Sequence, residues 1–281
     1  MVVKIVTDSS ADLPAQLAQE LGITVVPLYL RFGEEVFRDR VDISEDEFYE
    51  RLQHDPIHPS TTQPSPQDFA SAYRKLSPEA DGIVSILISS KLSGTYNSAL
   101  QGKELIEKGC PIEVVDSQTL TMGLGLVSIA AATAAKAGKG LPEVLAEARQ
   151  AIPNIHLLGL LDTLKYLLLG GRIGKAKALV GSILNVKPLL RLQDGEVVPA
   201  GQVRTRSKGV DRLFEFAKNA INIEDLAVVY NTTPDEAQSL AERIGSVFAK
   251  EKIRIARVGP MLGVHMGPGA LVVTFRGKAT A

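Results

Sequence analysis

Ile83-Val84-Ser85-Ile86-Leu87-Ile88 is an apolar run without alternation. As a strand it has no face to give to water, so it must lie inside a sheet that is covered on both sides. The next residues, Ser89-Ser90-Lys91-Leu92-Ser93-Gly94-Thr95, are small and polar and lead into a helix expected over residues 95–108. A buried strand that feeds a helix gathers hydroxyls and unpaired N–H groups at the carboxyl edge of its sheet, where α/β proteins bind ligands. Two readings of Ser93 are open here: the cap of the helix, or a receiver of an anion.

The chain opens in the same way. A strand over residues 2–6 runs into Thr7-Asp8-Ser9-Ser10 and then a helix over 12–21, with Asp12 as cap, Pro14 in the first turn and Gly22 as the stop. A second strand over 23–30 completes a β-α-β unit. Asp8 and Ser9 serve turn chemistry, ligand binding or both. Ser44-Glu45-Asp46-Glu47 is a capping box for a short helix ending near Leu52. His54 and His58 stand four apart, but Pro56 between them disfavours the helix that would aim both at one metal, so no zinc site is expected. Ser60-Thr61-Thr62-Gln63 then places four hydrogen-bonding side chains between Pro59 and Pro64, in backbone that the following proline holds extended. Thr61 and Thr62 belong either to a plain turn or to a binding loop. Ser65-Pro66 starts the next helix.

A strand over residues 112–115 ends in Asp116-Ser117, and a helix rich in Gly and Ala follows to Ala135. Gly123-Leu124-Gly125 lacks the third glycine of a dinucleotide fingerprint. After a helix over 141–151, Pro153-Asn154 marks the expected boundary between an N-terminal domain, 1–153, and a C-terminal domain, 154–281. The second half starts with a strand over 155–160. Gly170-Gly171-Arg172-Ile173-Gly174-Lys175 departs from the phosphate-loop spacing and is read as a helix stop exposing the Arg172 fork. Asp194-Gly195 predicts a tight hairpin, which brings in antiparallel pairing. Arg204 and Arg206 follow it, and His265 is placed in a Gly- and Pro-rich loop between strands. The expected fold class is α/β in two domains: an N-terminal, mostly parallel sheet and a C-terminal, mixed or antiparallel one.

Charge narrows the function classes. With 31 basic and 32 acidic residues the net charge is -1, which provides no footprint for nucleic acid or an anionic membrane surface. The single cysteine, Cys110, excludes an intrachain disulfide, and a cytoplasmic, reducing compartment is the simplest expectation. No export signal is read at the start, and the apolar tract from Leu120 to Ala135 is too short for a membrane span.

Taken together, Thr7–Leu13, Thr61–Ser65, Ser89–Thr95, Asp116–Ser117, Gly170–Ile173 and His265–Gly269 resemble the motifs of the DegV family, the fatty-acid-binding FakB proteins. The resemblance spans essentially the whole chain, with Thr-Thr-Gln where many relatives carry Thr-Ser-Gln. It implies a long-chain fatty acid buried between or within two α/β domains, with its carboxylate held by Thr61 and Ser93 and with Thr62 and His265 nearby. It also implies that no further cofactor is needed. The bound acid would be presented to a separate ATP-dependent fatty acid kinase, whose product is an acyl phosphate for phospholipid synthesis. Arg172 is then expected to neutralise the acyl phosphate or to meet the kinase. Burying some fifteen methylenes is worth on the order of 12 kcal/mol before ordering costs, and the carboxylate dragged in with them needs two or three donors. Two competing readings stand beside this one. The first is a serine hydrolase with Ser93 as nucleophile and His265 as base, which lacks a nucleophile elbow. The second is a phosphate-binding regulator built on residues 7–10 and 170–175.

Overall fold

The computed structural model describes residues 1–179 and 186–278. In the first half the order is β1 (Val3–Asp8), α1 (Ala15–Leu21), β2 (Ile23–Val26), β3 (Tyr29–Phe32), β4 (Glu35–Arg38), α2 (Glu45–His54) and β5 (Ser60–Thr62). There follow α3 (Pro66–Leu76), β6 (Gly82–Leu87), α4 (Thr95–Glu104), β7 (Ile112–Asp116), α5 (Thr121–Lys136) and α6 (Leu141–Ala151). The second half runs β8 (Ile155–Leu160), α7 (Lys165–Leu169), β9 (Lys187–Gln193), β10 (Glu196–Val203), α8 (Arg206–Lys218) and β11 (Ile221–Tyr230). It ends with α9 (Pro234–Ile244), β12 (Ile253–Arg257), α10 (Pro260–Met266) and β13 (Leu271–Lys278).

These elements form a two-domain α/β fold. Strands β2-β1-β6-β7 make a wholly parallel sheet. β6 is buried at every residue, as its unbroken apolar run requires. The second sheet, β10-β9-β8-β13-β11-β12, is antiparallel except for the parallel β11–β12 pair. A small antiparallel sheet, β4-β3-β5, sits beside the first.

Between the two large sheets lies α5, buried on almost every side, as a helix without a polar face must be. Ile5, Val84 and Ile86 from one sheet and Ala227, Val229 and Val272 from the other belong to one apolar cluster around it. The small residues of α5 serve close approach. A side chain at Gly125 would stand 2.9 Å from the Ala11 carbonyl oxygen, so α5 rests directly on the turn after β1.

Three local expectations are corrected. The strand expected over 23–30 is two strands in different sheets, divided around Pro27, which has no N–H to continue a ladder. Asp12 does not cap α1. It ends the short turn Ser9–Ala11 in left-handed backbone (φ 51°), which aspartate tolerates. Its buried carboxylate accepts from Thr121 Oγ1 (2.6 Å) and Gly259 N (2.8 Å) and pairs with Arg40 at 3.3 Å. Burial raises its pKa to about 7 despite Arg40, and the carboxylate ties α5 and the start of α10 to the first loop. Thirdly, His265 is on α10 rather than in a loop.

Candidate functional site

β1 is followed through α1 to β2 on one side of it, and β6 lies on the other, so the loops after β1 and β6 diverge from a topological switch point. The polar side chains of Asp8, Ser9 and Ser10 in the β1 loop are engaged with each other and with the neighbouring backbone. Asp8, buried and with its pKa raised by that burial, accepts from Ser10 N (2.9 Å), Ile88 N (2.8 Å) and Ser10 Oγ. Ser9 Oγ accepts from Leu28 N at 3.0 Å. These side chains brace the carboxyl ends of the sheet and have little left to offer a phosphate. Residues 170–175 follow a helix, α7, whereas a phosphate loop follows a strand.

The β6 loop carries Ser93. Gly94, not Ser93, occupies the cap position of α4, and it makes no side-chain cap. Ser93 Oγ lies 2.8 Å from Thr95 Oγ1 and accepts from Thr95 N at 3.3 Å. Gln63 lies against Gly94, where an added side chain would stand 2.2 Å from Gln63 Oε1 and displace that amide, and Gln63 Nε2 donates to Ser98 at 3.2 Å. Gln63 thereby holds the Thr61–Thr62 segment against the Ser93 loop. That segment is strand β5, paired with β3 by Thr61 opposite Leu30 and Thr62 opposite Tyr29. Successive side chains alternate along a strand, so Thr61 and Thr62 point to opposite faces. Thr62 is exposed.

Thr61 Oγ1 reaches His265 Nε2 at 2.9 Å across 204 residues of sequence. The imidazole is 6% exposed. Burial foremost, and then the charges of Arg172 and His58, push its pKa down to about 3, so at neutral pH it is an uncharged hydrogen-bonding group. A serine hydrolase would need this ring against Ser93 and able to take a proton; the ring pairs with Thr61 instead. Two glycines seat it. At Gly263, α10 lies on α2, where a side chain would stand 2.5 Å from Phe48. At Gly170 a side chain would stand 2.1 Å from His265 Nδ1. Gly170→Ala is therefore expected to displace the ring and weaken ligand affinity about tenfold, roughly 1.4 kcal/mol. An unchanged Kd for the variant, measured by calorimetry, would show that the ring's position is immaterial.

Arg172 is exposed and follows Gly170 and Gly171, which end α7 as expected. Its guanidinium donates to Gly170 O (2.8 Å) and Leu92 O (3.3 Å), joining the Ser93 loop to the end of that helix. Arg172 and His265 are the polar residues of an otherwise apolar cavity of about 40 Å3 that includes Ile88, Leu92, Met261 and Leu262. A second apolar cavity of about 60 Å3 continues along the mixed sheet past Leu157, Gly159, Leu190 and Val272. Leu120, Leu167, Val197 and Met266 line both. The two adjoining cavities share these walls and together are taken as a narrow apolar passage, with His265 at its polar end and Thr61 behind it.

Sequence reasoning expected a buried apolar tail and named Thr61 and His265, which the structure brings together, but it did not single out the residues that line the cavities. The walls of the passage are leucines and valines of ordinary strands. One signal was readable: an isolated glycine in the apolar strand 155–160, Gly159, marks close approach or missing volume. Arg204 and Arg206 stand elsewhere, Arg206 being occupied by Glu236, Asp162 and the Gly269 carbonyl.

A family model described as an uncharacterised protein of the DegV family matches residues 2–278. The chain is similar to a DegV domain-containing protein of Streptomyces coelicolor, 40% identical over 276 residues, covering 96% of this chain and 97% of that one. Among solved structures it is similar to a fatty-acid-binding DegV family protein from Thermus thermophilus, with a TM-score of 0.91, 32% identity and coverage of 99% and 100%. It is also similar to a stearic-acid-binding protein from Eubacterium ventriosum, with a TM-score of 0.87, 27% identity and 98% of both chains covered.

Proposed function

Because the chain belongs to the DegV family, we propose that it is a non-catalytic carrier of a long-chain fatty acid, holding the tail in the apolar passage and the carboxylate at Thr61, Ser93 and His265, while Thr62, exposed on the opposite face of β5, is left out of the head-group site. The carried acid is a substrate for a separate ATP-dependent kinase that forms the acyl phosphate, with Arg172 at the rim where the phosphoryl group would arrive. The observation that carries this reading is the 2.9 Å contact of Thr61 with a buried, neutral His265 at the polar end of an apolar passage. A neutral imidazole and hydroxyls can receive a carboxylate by hydrogen bonds without a second buried charge to solvate. No helix among the described residues is long and apolar enough to cross a membrane.

The test is a thermal shift on delipidated protein. Stearate at a hundred times its Kd adds about 2.7 kcal/mol, which for a chain of this size is an upward Tm shift of about 5 °C or more. A shift with ATP and none with stearate would transfer the site to the phosphate-binding reading.

A further inference from the structure

The passage is an order of magnitude smaller than the roughly 300–1,000 Å3 of ordinary small-molecule sites, at about 40 and about 60 Å3 in its two parts. A wall must therefore move for an acyl chain to pass, and the walls differ in how firmly they are held. α5 is buried nearly all round, and β8 and β13 are interior strands paired on both sides. The β9–β10 hairpin, which contributes Leu190, Leu192 and Val197, is different. It forms the sheet's edge, β9 pairs with β8 only over Leu189–Arg191, with Leu161 N donating to Pro188 O just beyond (3.1 Å), and β10 is irregular between Pro199 and Gly201. The ion pairs that also hold it, Lys175–Glu196 (2.7 Å) and Lys187–Asp162 (3.0 Å), are solvent-accessible and worth little each.

The tip of this hairpin is tied to the other half of the chain. Asp194 and Gly195 both have positive φ (52° and 79°) in the tight turn, and the Gly195 carbonyl accepts from Ser89 Oγ at 2.8 Å. Ser89 is fully buried and stands in the loop that leads to Ser93. A side chain at Gly195 would be 2.5 Å from Ser89 Oγ, so the fit depends on glycine. On the outer side of the hairpin is a polar groove of about 830 Å3, bordered by Gln118, Arg149, His156 and Asp194. Leu157 and Leu192 border both this groove and the apolar passage.

We propose that the β9–β10 hairpin is a strap, latched by Ser89 on the Gly195 carbonyl, whose release joins the passage to the polar groove and lets the fatty acid enter and leave there. The inference rests on the carrier reading. It gives a role to Ser89, which the head-group site does not use, and the weak hold of the hairpin on β8 supplies the hinge.

The latch can be locked. The Cβ of a residue at position 195 would lie 3.6 Å from the Ser89 Cβ, within the 3.5–4.5 Å spacing of a disulfide. In a Cys110→Ser background, the pair Ser89→Cys and Gly195→Cys is expected to close on mild oxidation. Exchange of bound labelled stearate against excess unlabelled stearate should then slow at least tenfold and recover on reduction. Equal exchange rates in the oxidised and reduced states would overturn the strap. Hydrogen exchange on ligand-free protein supplies a readout independent of lipid: Ser89→Ala should speed amide exchange over residues 189–198 more than in β8 and β13. If no stearate binds to the unmodified chain, the carrier reading fails, and the amide measurement alone decides whether the hairpin opens. Uniform exchange across the sheet would reject that too.

Discussion

Gly159→Phe is expected to lower stearate affinity at least about a hundredfold while leaving the fold intact. Gly159 lies between Leu157 and Leu161 on the strand face that borders the passage. A Cβ there would meet Val272 Cγ2 at 3.6 Å and the Leu190 carbonyl oxygen at 3.9 Å, both ordinary contacts. The backbone therefore accepts a side chain, and the phenyl ring projects into the space that the acyl tail would take. Excluding about four methylenes at about 0.8 kcal/mol each removes about 3 kcal/mol, which is more than a hundredfold. Decanoate, with less tail to place, should lose less. The measurement is displacement of a fluorescent fatty acid, with circular dichroism confirming the fold. If stearate binds the variant as it binds the parent chain, the tail does not run past β8.

The second large effect is on stability in acid. The folded state holds His265 neutral, its pKa pushed from 6.5 down to about 3 by burial, Arg172 and His58. The unfolded chain takes up a proton on that ring below its ordinary pKa. The contribution is therefore fully present above pH 6.5 and is lost as pH falls toward 3. At pH 4 the loss is about 3 kcal/mol, at 1.36 kcal/mol per pH unit. Asp12 acts in the opposite sense. Its pKa is raised to about 7 from 3.8, so its contribution improves stability as pH falls between those values. Asp12 is present in both proteins when His265→Gln is compared with the parent chain, so the difference isolates the ring. Urea unfolding at pH 7 and pH 4 should show the variant gaining about 3 kcal/mol on the parent. Parallel pH profiles would mean that His265 is not held neutral.

Much of the local structure was readable from residues. The buried β6 followed from a run with no polar face, the end of α7 from Gly170-Gly171, and the hairpin from Asp194-Gly195, each a property of a few adjacent residues. The misplacements have equally local causes. Pro27 divides what hydropathy alone joins into one strand. Ser93 resembles a cap, but Gly94 takes the cap position while Ser93 turns to Thr95. α10 escaped notice because Gly263 weakens its helical pattern, although Pro260 at its start and Gly267 at its end are the usual punctuation of a helix.

By itself the sequence determined two α/β sheets and the hydroxyl-bearing loops at the carboxyl edge of the first, because hydrophobic period and turn chemistry act over a few residues. Only the tertiary structure decided that His265 meets Thr61, that Gly170 leaves room for the ring, and that leucines from separate strands form one passage. Those relations arise from burial shared between distant segments. The Asp12 carboxylate holds the start of α10, and Gly263 lets that helix lie on α2. No period or spacing along the chain encodes which buried faces will meet.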